Sequence, residues 1–384
     1  MTTNPFDADR PPERQGRRGG GRRRGGSGEP SSNDSNGSQA SHGGRRRTDE
    51  SVMVPEVSFD SYYGRHIVKP APWEKEVAAY LFLGGIAGGS ALLAAGGAAL
   101  NYPALRRVGR FGAVAGAALG GAALAKDLGK PSRALNMMRT VKLTSPMSVG
   151  TWILTAFGGF SGLALASELS RILLGGGSGE KPSGGSAVAL LSRALELADG
   201  PATVGAALFG APLAAYTAVL LSDTATPTWH ESYHELPLVF VSSANLASAG
   251  LALIAVPTSQ NGPARKLAAL SAVVELAAFE VMQHRMGPTL SEPLRTGKAG
   301  KLLRLSRALT VGGAVGATTL GSNRVAAVVS GLSLMAASAL TRFGVFDAGL
   351  VSAIDPKYTV EPQRERLERR RAAGATHDSI TTAR

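Results

Sequence analysis

The 384-residue chain contains no cysteine. Without thiolates it cannot ligate an Fe–S cluster, attach a c-type haem or close a disulfide, so any electron carrier it serves comes from outside the chain or is a small diffusible molecule. Aromatic residues are also few, at 5%. The first sixty residues hold ten arginines and no lysine, and no aromatic is interleaved with the arginine blocks Arg10 to Arg24 and Arg45 to Arg47. Nine acidic residues bring that stretch close to neutrality. This removes the stacking platform that a single-stranded nucleic-acid binder needs and reads as a solvated tail. A twin-arginine export signal is excluded in the same way, because neither Arg22-Arg23-Arg24 nor Arg45-Arg46-Arg47 is followed by an apolar segment with a small-residue cleavage site. Branched aliphatics are almost absent before residue 60, so residues 1–60 are expected to be disordered.

What the chain does have is apolar length. From Glu76 to Phe343 the composition turns to Ala, Leu, Gly and Val, in runs near 76–101, 108–126, 147–168, 201–222, 237–257, 264–284, 303–321 and 325–343. A helix needs roughly 20 apolar residues to cross a bilayer core. The expected fold is therefore all-α and integral to the membrane, with about eight transmembrane helices over 61–346 and a polar C-terminal tail over 347–384. The seventh span has the shortest apolar stretch, because Lys301, Arg304 and Arg307 crowd its start.

An even number of spans puts both termini on one side. Lys and Arg in the loops and tails of that side number twenty-one, against nine opposite. By the positive-inside bias the termini are expected in the cytoplasm, in the inner membrane of the cell. This count includes Arg342 and Lys357 as flanks of the last span.

Small residues repeat in the first span at Gly84 and Gly88 and again at Gly85 and Gly89, a spacing that brings helix backbones together in lipid. Ionisable groups in spans are costly there, about 2.5–3.5 kcal/mol each on insertion scales, and mark candidate sites. Glu76 and Tyr80 open the first span and Asp127 ends the second. Tyr216 and Asp223 end the fourth, and Glu280 and His284 end the sixth. All fall toward the side of the termini, with Glu275 nearer mid-membrane. The 126–146 loop adds Lys130, Arg133, Asn136 and Arg139 on that side, a candidate partner interface. Such a gathering of carboxylates, imidazole, phenol and amide suits a ligand with two carbonyls and two protons to exchange, such as a quinone. Snorkelling side chains at helix ends are the simpler alternative.

His230 and His234, with Glu231 and Glu235 beside them, have the i, i+4 spacing of a metal pair on a helix, but Pro227 and Pro237 bracket the segment. No metal site is expected. Haem b is not expected either, since its axial ligands would have to come from within facing spans, and His66, His230, His234 and His284 stand at or beyond span ends.

Several motifs carry a resemblance. Tyr62-Tyr63-Gly64-Arg65 and Trp73-Glu74-Lys75-Glu76 lead into the first span, followed by Asp127-Leu-Gly-Lys-Pro131 and Thr144-Ser-Pro-Met-Ser-Val-Gly-Thr-Trp152. Arg342-Phe-Gly-Val-Phe346 and Asp355-Pro-Lys-Tyr-Thr359 close the series. From Tyr62 to about Arg366 the chain resembles the NrfD family, the membrane subunits of polysulfide reductase-like complexes. The resemblance implies an eight-helix protein without a redox cofactor of its own. Such a protein binds menaquinone or ubiquinone near the face docked by a 4Fe–4S ferredoxin-type subunit, which in turn serves a molybdopterin oxidoreductase of the polysulfide reductase or formate dehydrogenase type. Carried over by position, it implies quinone contacts at Tyr80 and Tyr216 and matches Asp127 to the acidic residue that opens the second loop; the gathering of polar residues adds Glu76 to the expected quinone site and Asp223, Glu275, Glu280 and His284 as expected proton-transfer groups. The chain departs from the polysulfide reductase type at Val77 and at Tyr80, where that type carries a polar side chain and a histidine. A proton or solute transporter using Glu275, Glu280 and His284, or a purely structural anchor, are the rival expectations.

Overall fold

The computed structural model describes residues 66–127, 138–139, 141–174 and 187–374. The Arg-rich head, and Lys130, Arg133 and Asn136 of the expected partner interface, lie outside the described residues. Among the described residues the secondary structure is helical: α1 (Lys75–Ala99), α2 (Pro103–Asp127), α3 (Pro146–Leu174), α4 (Ala187–Ser222), the short α5 (Pro227–Glu231), α6 (Leu236–Ala255), α7 (Gly262–Arg295), α8 (Gly297–Leu320), α9 (Arg324–Ile354) and α10 (Lys357–Ala372).

Proline sets several of the helix starts. It occupies the first position of α2, α3 and α5 and the second of α6 and α7, where its missing N–H is no loss. Asn323 starts α9, its side-chain oxygen accepting from the backbone N–H of Val325 at 2.9 Å and of Ala326 at 3.2 Å. The tight α1–α2 turn passes through Asn101 at φ 57°, a left-handed conformation that asparagine tolerates better than most residues. Gly287 (φ 74°, ψ 176°) and the Pro288 that follows break α7 into a long segment and a short C-terminal one.

Among the described residues seven helices, α1 to α4, α6, α7 and α9, are long and apolar enough to cross a membrane by length and composition. The eighth antiparallel member, α8, packs along α9 but opens on Lys298, Lys301, Arg304 and Arg307, the crowding already visible in the sequence. We call the end of the bundle where α1 begins and α9 ends the proximal face, and the other end the distal face.

The helices run past several boundaries expected from hydropathy. α4 starts at Ala187 and holds Pro201 and Pro212 inside it, so Pro201 does not mark its start. At 36 residues α4 is about 54 Å long, more than a bilayer core requires. At the other end of the chain α9 continues to Ile354, and residues 357–372 of the expected polar tail are helical. Arg342 therefore lies inside α9, fully buried, and is not a flanking charge. Removing it from the proximal count leaves twenty basic residues against nine, so the bias keeps its direction.

α1 stands at the centre of the bundle, packed against α2, α4 and α6, with most of its length buried. Its glycines serve different neighbours. A Cβ on Gly88 would sit 2.4 Å from the Gly210 carbonyl oxygen of α4, and one on Gly89 2.9 Å from the Ala244 carbonyl oxygen of α6. Close backbone approach of this kind supplies the dispersion contact that holds helices together in lipid, where apolar burial alone gives no preference.

Candidate functional site

Between the proximal halves of α1 to α4 lies a cavity of about 300 Å³. Trp73, Val77 and Tyr80 form its α1 side, and Gly121, Leu124, Ala125 and Asp127 its α2 side. Met138, Met147, Gly150, Thr151, Leu154 and Thr155 line the wall toward α3, and Tyr216 and Leu220 come from α4. Met147 and Thr155 are exposed, so the cavity reaches the outside of the bundle between α2 and α3. Its walls are mainly apolar, with phenols at one end and a carboxylate at the other, the composition of a site for a largely apolar ligand oriented by a few polar contacts.

Tyr80 is 1% exposed, and its hydroxyl bonds to that of Tyr216. Gly150 makes the room for this pair: a Cβ there would fall 2.1 Å from the Tyr216 ring. Tyr80 stands five residues into α1 and Tyr216 six before the end of α4, each roughly 8–9 Å along the helix from the proximal end. The phenols therefore lie at matching depth in the bundle, near its proximal end.

Asp127 closes α2 at the rim, where its carboxylate accepts from the backbone N–H of Glu74 at 3.5 Å. Glu76 does not line the cavity; it pairs with Lys126 at 2.7 Å beside the rim. Trp73 roofs the cavity and stacks on Trp229 at 6.0 Å. Trp229 is fully buried, donates its indole N–H to the Val345 carbonyl at 2.8 Å and lies 5.5 Å from Phe346. The cavity roof is in this way tied to α5 and α9. His66 adds to the tie through a ring nitrogen 3.2 Å from the Ile354 carbonyl oxygen.

The remaining expected residues do not converge on the cavity. Asp223 is exposed just past α4, Glu280 is exposed and 3.6 Å from Arg307, and His284 is exposed on α7. Glu275 is buried among α6, α8 and α9, away from the cavity. Arg139 is the one described residue of the expected partner interface, and it is exposed. The His230 to Glu235 segment is one helical turn followed by turns, and its side chains take separate partners. A His230 ring nitrogen lies 3.0 Å from the Ser222 carbonyl oxygen, Glu231 pairs with Arg366 at 3.6 Å, and Glu235 pairs with Arg285. Among the described residues no group of three or more His, Asp or Glu is placed to share a metal ion.

Two arrangements escape a linear reading. On the distal side Glu168, 1% exposed, receives Arg106 at 2.9 Å and Arg110 at 3.0 Å, while Asp199 takes Arg110 and Arg171, both at 2.8 Å. This buried ion network joins α2, α3 and α4. The other is Trp229, whose ring occupies space left by Gly349. Outside the spans, Lys357 of α10 pairs with Glu292 at 2.6 Å, and that carboxylate holds its ammonium above the usual lysine range.

The chain is thus a multi-pass helical membrane protein with a ligand-sized cavity opening laterally at one face. A family model described as polysulphide reductase, NrfD, matches residues 66–284, more than half of the chain. The protein belongs to the NrfD family, the membrane subunits of oxidoreductase complexes. The match spans α1 to α6 and most of α7, so the cavity lies inside it, whereas α8, α9 and the Arg342 and Asp355 motifs lie beyond it. No curated protein matches the chain.

Proposed function

We propose that this protein is the quinone-interacting membrane anchor of a multi-subunit oxidoreductase, exchanging electrons between a partner Fe–S subunit and membrane quinone. The observation that carries the reading is the cavity between α1 and α4, where Tyr80, Asp127 and Tyr216, drawn from three helices, share one mainly apolar chamber open toward lipid.

A quinone bound there supplies two-electron, two-proton chemistry. The Tyr80–Tyr216 pair has two hydroxyl protons and uses one between its own oxygens, which leaves the other free to donate to a ligand carbonyl. Asp127, at the rim, stands where a carboxylate can pass a proton between ligand and water. Val77, Leu124 and Leu154 exclude water from a ring held between those polar ends. Glu76 and Lys126 fix the rim as an ion pair beside Asp127. Exposed Asp223, Glu280 and His284 add proton-exchanging groups on the proximal face.

The chain has no cysteine with which to hold an Fe–S cluster, so electrons reach the cavity from a partner docked on the proximal face. We place the docking surface on the 126–146 loop with Lys130, Arg133, Asn136 and Arg139, and the termini in the cytoplasm, from the excess of basic residues on that side. A 4Fe–4S ferredoxin-type subunit and a molybdopterin oxidoreductase complete the complex. The test is the double variant Tyr80→Phe with Asp127→Asn in the intact complex. Quinone-linked turnover falls while the subunits still copurify; unchanged turnover rejects the site.

A further inference from the structure

The second half of the bundle holds an ionisable pair that the quinone cavity does not use. Glu275 of α7 is 4% exposed and Arg342 of α9 is fully buried, both near the middle of their helices. Thr341 donates to Glu275 Oε1 at 3.0 Å and lies 2.7 Å from the Ser306 hydroxyl of α8. The Ser243 hydroxyl of α6 also lies beside the carboxylate. Arg342 gives one N–H to the Phe240 carbonyl, and its guanidinium lies 3.8 Å from the Phe240 ring centre.

This site is built but not closed by protein groups alone. Glu275 Oε2 and Nε and Nη1 of Arg342 are buried without a protein hydrogen bond, and the Thr310 hydroxyl, also buried, lies beside the carboxylate without a well-formed bond of its own. Beside them lies a void of about 10 Å³ lined in part by Glu275, Ser306, Thr310 and Thr341. That is about the volume one water needs, in polar surroundings that give it partners. The void shares Leu303 and Arg307 with a vestibule of about 320 Å³, whose polar wall includes Glu280, Gln283 and Arg304. The vestibule sits on the proximal side, where α7 ends and α8 begins. Arg307 stands between the two spaces, its guanidinium 4.8 Å from the Phe279 ring centre and 3.6 Å from Glu280.

Toward the distal face the route ends. One turn deeper than Glu275, Thr310 and Ser338 stand Ala272, Ala314 and Leu334, which belong to one apolar cluster with Leu246, Leu253 and Ala268.

We propose that Glu275 is a proton-loading site reached by water from the proximal face alone, through the vestibule and past Arg307. A proton arriving from water forms the O–H bond on a Glu275 carboxylate oxygen and returns by the same route. Arg342 and, across the void, Arg307 are the charged groups facing the carboxylate, with Glu280 behind Arg307. The site is separate from the α1 to α4 cavity and stands whether or not that cavity takes quinone.

The experiment is infrared difference spectroscopy of the full chain in oriented vesicles during pH steps applied to one side at a time. A protonated-carboxyl C=O band is expected on acidifying the proximal side, shifting in D2O, lost in Glu275→Gln and displaced in Glu275→Asp. In Ser306→Leu, which fills the void, the band remains but its hydrogen–deuterium exchange slows many-fold. A band unaffected by Glu275→Gln and Glu275→Asp, a response to the distal side, or unchanged exchange in Ser306→Leu would each overturn the proposal.

Discussion

The hydroxyls of Tyr80 on α1 and Tyr216 on α4 bond directly to one another at the inner end of the cavity, and Gly150 of α3 leaves the space that lets them meet. Three helices thus fix one pair of phenols, and its chemistry follows from their sharing.

Because the two hydroxyls act as a unit, their removal is non-additive. Tyr80→Phe and Tyr216→Phe are each expected to weaken binding of a quinone analogue by roughly 5- to 10-fold, the worth of about 1 kcal/mol of hydrogen bonding. The double variant weakens it by less than the product. Titration of the purified protein with a fluorescent or calorimetric probe reads all three constants; strict additivity would mean that the two hydroxyls act independently, and no loss in any variant that the ligand does not engage the pair.

Gly150→Ala acts on the same pair from behind. With a Cβ 2.1 Å from the Tyr216 ring, the ring has to move and its bond to Tyr80 breaks. Binding is expected to fall at least as far as in Tyr216→Phe. A matched Gly158→Ala, whose Cβ meets nothing within 4 Å, leaves binding unchanged.

Stability is sensitive at the Trp229 pocket. A Cβ on Gly349 would lie 2.0 Å from the indole, which is held between Trp73 and Phe346 and cannot give way cheaply. Gly349→Ala is expected to destabilise the bundle by about 1–3 kcal/mol, as overpacking does. Thermal unfolding in detergent would show this as a lowered midpoint, and Gly312→Ala, in open space, as no change.

The distal ion network gives a second stability prediction. Glu168→Gln leaves Arg106 and Arg110 facing a neutral partner in a buried site, at a cost of about 3–5 kcal/mol. Lys298→Ala, which removes the exposed end of the Asp347 pair, costs at most about 1 kcal/mol. Unfolding midpoints of the two variants in one detergent decide it; equal shifts would mean that the network is solvated.

The sequence already showed the helical membrane class, the weakness of α8 as a span and the gathering of Tyr80, Asp127 and Tyr216 on one side, because hydropathy and chain alternation fix depth. Depth is not azimuth. Glu76 and Asp127 are equally shallow, yet one turns to Lys126 and the other to the cavity rim, a difference of helix rotation that spacing alone does not reveal. Arg342 misled for a related reason: a charge near the end of an apolar run looks like a flank. α9 continues to Ile354 because Phe343 to Ile354 is again mainly apolar, and Phe240 and the Glu275 region cover the guanidinium. Pro201 looked like a helix boundary and is an interior residue of α4, whose Asp199 is held by Arg110 and Arg171. The Trp229 pocket had no local sign, since its partners Trp73, Phe346 and Gly349 come from distant parts of the chain.

The central claim is that membrane quinone occupies the α1 to α4 cavity, and photolabelling tests it most directly. A photoreactive quinone analogue is bound to the intact protein, illuminated, and its adducts are mapped by peptide mass spectrometry. The account predicts labels on the cavity-lining stretches around Val77 to Tyr80, Leu124 to Asp127, Gly150 to Thr155 and Tyr216 to Leu220, suppressed by excess unlabelled quinone and reduced in the Tyr80→Phe, Asp127→Asn variant. Labels confined to α7 to α9, or labelling of the cavity that excess quinone does not suppress, would contradict it.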